Sequence, residues 1–69
     1  MESITIKDEF IKLGQALKLS GLVDSGVEAK IVIINGDVSV NGSICLERGK
    51  KLRNGDVFEY KGNTVKVLS

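Results

Sequence analysis

The residues best equipped for chemistry in this chain lie close together: Arg48, Lys50, Lys51 and Arg53 bring four cations into six positions. Cations in such a run neutralise phosphates when a rigid frame holds them, and a nearby helix terminus adds backbone donors to the same task. The net charge of +1 conceals this concentration. Residues 1–47 carry four basic against seven acidic side chains, a balance of −3, whereas residues 48–69 carry six against two, a balance of +4. A positive stripe, not a uniformly basic surface, is therefore the candidate site, and its binding should be modest and governed by shape.

Nucleophilic catalysis lacks its usual partner, because no histidine is present to act as base for a serine or for Cys45. Cys45 reads as a structural residue on a strand. A lone cysteine forms no intramolecular disulfide, and without histidine no zinc set is available. The glycines fit no phosphate-binding loop, since neither Gly21 nor Gly26 leads into the spacing such loops require. No catalytic residue, metal ligand or cofactor is expected. No apolar run approaches the roughly 18 residues of a spanning helix, and Met1-Glu2-Ser3 lacks the basic start of a secretory signal. A cytoplasmic protein without membrane contact is the consistent expectation.

The elements that must position the stripe follow from the hydrophobic pattern. Sixty-nine residues leave room for one domain, residues 1–69, with a core near the lower limit for folding without staples. Ser3-Ile4-Thr5-Ile6 alternates as a half-buried strand does. Thr5 and Asp8 permit a capping box for a helix from Ile6, or the chain stays extended until about Lys12. Leu13, Ala16 and Leu17 then recur at helical spacing, with Lys12, Gln15 and Lys18 turned away, until Ser20-Gly21 stops the helix. Asp24 or Ser25 caps a second helix that Gly36 ends, with Glu28 in its first turn.

On that second helix Ala29, Val32 and Ile33 mark a core face, while Val27, Ile31 and Ile34 form another apolar stripe. The terminal strands are expected to cover this stripe, a partner surface being the alternative. Residues 37–40 and 43–46 form a hairpin about Asn41-Gly42, a pair suited to a type I′ turn. After Asn54-Gly55, residues 56–60 and 64–67 form a last hairpin around Lys61-Gly62-Asn63. Phe10 and Phe58 are assigned to the core.

Several of these residues fall into a known pattern. Ser25, Ala29, Ile33, Gly36, Val38, Val40, Asn41 and Gly42 match the run S-R-x-x-A-x-x-x-I-x-x-G-x-V-x-V-N-G, and Leu13, Leu17, Gly21 and Leu22 match the helix before it. Together with the basic turn and the Gly55-Asp56-Val57 strand start, the chain resembles the S-four-type RNA-binding domain of ribosomal small-subunit protein S-four. Within that superfamily it looks most like the small stand-alone bacterial members. Gly26 stands where the family has an arginine, and Glu47 where that subgroup more often has a basic residue.

The resemblance implies an α+β fold, with two short helices in an L-shaped motif packed on a small, mainly antiparallel sheet with hairpins. It also implies a non-catalytic protein that binds structured RNA, rRNA-like or tRNA-like, through Lys18, Ser25, Lys30, Arg48, Lys50, Lys51 and Arg53. With Phe10 and Phe58 in the core, little aromatic surface remains for stacking single-stranded bases, which favours RNA read by shape and backbone. A monomer working within a ribonucleoprotein complex is expected. The alternative is a protein-interaction module that uses the second-helix stripe or an edge strand.

Overall fold

The computed structural model describes all of residues 1–69. Its elements are β1 (Glu2–Thr5), β2 (Ile11–Lys12), α1 (Leu13–Leu19), α2 (Gly26–Ile34), β3 (Val38–Val40), β4 (Ser43–Ile44), β5 (Lys51–Leu52), β6 (Val57–Tyr60) and β7 (Asn63–Leu68). Five strands form one sheet in the order β1-β7-β6-β3-β4, and β2 pairs with β5 in a separate two-stranded ladder. All pairings are antiparallel except β1 with β7, the two ends of the chain, which run parallel. This is the expected mainly antiparallel α+β arrangement.

Both helices end through the same device. At the end of α2 the Gly36 N–H donates to the Ile33 carbonyl at 3.0 Å and the Asp37 N–H to the Val32 carbonyl at 3.0 Å, which satisfies carbonyls the helix leaves open. The motif requires a left-handed residue at its centre, and Gly36 has φ of 83°. At its start, Ser25 Oγ accepts from the Glu28 N–H at 3.1 Å, while Glu28 Oε1 accepts from the Asp24 N–H at 2.9 Å. Ser25, not Asp24, is the cap.

The core lies between the helices and one face of the sheet. Leu13, Ala16 and Leu17 of α1 and Ala29, Val32 and Ile33 of α2 are buried, facing Val38, Val40, Phe58, Tyr60, Val65 and Val67. Leu52 closes it from β5. No polar side chain is buried, so none of the limited core is spent on solvating a charge.

Four expectations need correction. Val27, Ile31 and Ile34 are 71%, 53% and 57% exposed: β1 and β7 pair with each other and leave this face of α2 open. The turn of the last hairpin has two residues, not three, because Tyr60 pairs with Asn63 and both Lys61 (φ 51°) and Gly62 (φ 79°) are left-handed. Strand β4 stops at Ile44, so Cys45 lies beyond it, although its N–H still reaches the Val38 carbonyl at 3.0 Å. Phe10 is only partly buried and lies outside the core cluster.

Candidate nucleic-acid interface

The basic run is held by the first helix, not the second. Lys12 precedes α1 with extended backbone and offers no side-chain cap, so the leading N–H groups of the helix need other acceptors. The run supplies them: the Leu13 N–H donates to the Lys50 carbonyl at 2.8 Å and the Gly14 N–H to the Arg48 carbonyl at 3.0 Å. Ile11 then pairs with Leu52, and Lys12 stands directly opposite Lys51. A run that follows a short hairpin strand and precedes the Asn54-Gly55 turn is expected at the sheet edge beside α2; the ladder and these bonds place it at the start of α1 instead. The short strands β2 and β5 give too few residues for alternation to reveal them.

Strand geometry sorts the cations. Leu52 is buried, so its neighbours Lys51 and Arg53 face outward. There Lys51 Nζ lies 4.8 Å and the Arg53 guanidinium carbon 5.6 Å from the centre of the Phe10 ring. Cation–π attraction at such distances holds flexible side chains to one surface. Phe10 also lines an open groove, shared with Lys7 from the loop after β1 and with Gln15 and Lys18 from α1. Lys51 and Arg53 are therefore held over one ring, and Lys18 lines the groove beside it. Sequence reasoning missed Phe10, Lys7 and Lys12 as parts of this surface; an aromatic set among Asp8, Glu9 and Lys12 was the available signal.

A second group fixes the far end of the run. Asp56 accepts the Arg53 N–H on Oδ2 at 2.7 Å and the Asn41 side-chain amide on Oδ1 at 3.1 Å, while Asn41 Oδ1 accepts the Val57 N–H at 3.0 Å. The Arg53 N–H holds the Asp56 carboxyl below its ordinary value, helped by the Asn41 amide and the charges of Lys50 and Arg53 and opposed by partial burial. Lys50 belongs to this side, along a shallow groove with Ser43 and Glu47.

Ser25 and Lys30 stand apart. Both are exposed on α2, the Ser25 hydroxyl oxygen is engaged in the cap, and neither residue hydrogen-bonds to the basic run. No group of three His, Cys, Asp or Glu side chains is placed to hold a metal ion, and no helix is long and apolar enough to cross a membrane.

Two helices set against a hairpin sheet, with a cationic run clamped to the first helix, define a class that comparison with known proteins makes explicit. The chain belongs to the S4 domain family, whose model matches residues 4–68. It is 44% identical over 59 residues to the Bacillus subtilis protein named "Probable ribosome maturation protein RlbA", spanning 86% of this chain and 83% of that one. It is 33% identical over 63 residues to the Escherichia coli protein named "Putative RNA-binding protein YbcJ", spanning 91% and 90%. The solution structure of YbcJ, described as revealing an αL motif involved in RNA-binding, superposes with a TM-score of 0.77 at 31% identity, over 100% of this chain and 89% of that one.

Proposed function

We propose that this chain binds structured RNA, ribosomal or transfer RNA in kind, without catalysing a reaction, and that residues 1–69 act in the cytoplasm as one module. Membership of the S4 domain family supports RNA as the partner, and the ribosome-maturation name of RlbA supports a ribosomal RNA within a ribonucleoprotein complex. The observation that carries the reading is the outward pair Lys51 and Arg53, held on Phe10 across a groove from Lys18.

In this reading Lys18, Lys51 and Arg53 form the centre of the contact, with Arg48 and Lys50 beside them on the same run. Ser25 and Lys30 extend it onto α2, where Ser25 retains its O–H as a donor. Phosphates are the natural ligand, because the lysines and arginines donate and carry charge but accept nothing. The clamped backbone supplies rigidity, so the cations meet RNA of matching shape without a large ordering cost.

A gel-shift series against structured ribosomal RNA fragments tests this. The Lys51→Glu, Arg53→Glu double variant is expected to lose binding, while folding stability changes by under about 1 kcal/mol, since exposed charges contribute little to it. Wild-type affinity in the double variant would remove these residues from the site.

A further inference from the structure

We propose that the groove between residues 5–11 and α1 receives one unpaired nucleobase of the bound RNA, stacked on Phe10. This rests on the RNA-binding reading above and adds the RNA feature that is recognised. Of the three aromatic residues, Phe58 and Tyr60 are 0% and 5% exposed, which leaves Phe10 as the ring open to a ligand. The groove beside it has a volume of about 670 Å³, within the range of about 300–1,000 Å³ that ligand pockets span.

Its lining has the three parts a nucleotide needs. Phe10 and Ile11 offer an apolar platform for the face of a base, Asp8 and Gln15 offer an acceptor and an amide for its edge, and Lys7 and Lys18 supply charge for its phosphates. Lys51 and Arg53 over Phe10 do not block the platform. A cation over a solvent-reachable ring is held more weakly than a stacked base, so an entering base takes the ring face and releases the cation to a flanking phosphate. One ring accepts one base. A bulged or junction nucleotide therefore fits, whereas a single-stranded run requires a series of aromatic platforms.

The test uses two RNA hairpins with the same stem, one fully paired and one carrying a single bulged 2-aminopurine. Both are titrated with the wild type, Phe10→Tyr and Phe10→Leu at one salt concentration, after circular dichroism melting has established that each variant folds. The chain has no tryptophan to overlap the emission of the probe. Wild type and Phe10→Tyr are expected to prefer the bulged hairpin by about 5- to 150-fold, the worth of one stacked base, and to quench the probe. Phe10→Leu is expected to bind both hairpins alike, at the affinity of the wild type for the paired one. Equal wild-type binding to both hairpins with unchanged emission would overturn the base site while leaving RNA binding intact. An equal loss for both hairpins in Phe10→Leu would also overturn it, making Phe10 a positioning residue for the cations. Failure of the wild type to bind either hairpin at low salt would overturn RNA binding itself.

Discussion

Asp56 ties the basic run to the central hairpin with two accepted hydrogen bonds, one from the Arg53 backbone and one from the Asn41 side chain. An asparagine there keeps one acceptor oxygen, so Asp56→Asn must give up one bond along with the charge. A loss of about 1 kcal/mol is expected from denaturant unfolding at neutral pH. The pH dependence has a fixed sign. Because the folded carboxyl titrates below its ordinary value of 3.8, its stabilisation is fully present above that value and is lost as pH falls from there through the lowered folded value. Melting temperatures taken from pH 6 down to pH 2 should show an acid loss in the wild type that is smaller in Asp56→Asn; parallel curves would remove Asp56 from the account. Gly42 tests the adjacent turn. It has φ of 88° with open space around the position of an added Cβ, so the cost of Gly42→Val is dominated by the left-handed backbone that a β-branched residue resists. Thermal melting should register about 1–3 kcal/mol, and an unchanged midpoint would contradict the turn.

At the scale of elements, α2 shows where burial and apolar character part company. Ile33 is fully buried and Ile34, its neighbour, is 57% exposed. Ile33→Ala is therefore expected to cost about 2–5 kcal/mol and Ile34→Ala no more than about 0.5, as separate chemical denaturation curves would report. Equal losses would mean that Ile34 is covered in solution. The core face Ala29, Val32, Ile33 was legible from spacing alone, and so were the Ser25 cap, the Gly36 stop and the Asn41-Gly42 turn, because each is fixed by local backbone chemistry. Coverage of the second stripe was not legible. It depends on which strands the chain ends pair with, and β1 and β7 pair with each other and turn Ile4 and Val67 into the core, leaving Val27, Ile31 and Ile34 open. The β2–β5 ladder escaped for a related reason: its strands have two residues each, and their partners lie 39 or more positions apart. That omission moved the basic run to the wrong helix and placed Phe10 in the core.

At the scale of the whole molecule, the question is how a chain of net charge +1 attracts a polyanion. The protein measures 28 × 21 × 18 Å, while charges in 0.1 M salt are screened beyond about 10 Å, so RNA at the cationic surface feels that surface more than the total. At 0.01 M the screening length grows to about 30 Å, comparable with the long axis, and the acidic side chains counteract the attraction. Two consequences follow for titrations of structured RNA. Contact by Lys18, Lys51, Arg53 and their neighbours with three to five phosphates gives a log–log salt slope of roughly −2 to −4 above 0.1 M. Below about 0.03 M the slope should flatten, because further dilution extends the reach of the acidic residues as well as the basic ones. The individual cations then separate by their share of the slope. Losing Lys51 and Arg53 together should reduce its magnitude by about 1.5, whereas Lys30→Ala, on the separate helix, should reduce it by less than 1. A steeper loss from Lys30→Ala than from the double change would place the centre of the contact on α2, and the clamped run beside α1 would become its margin.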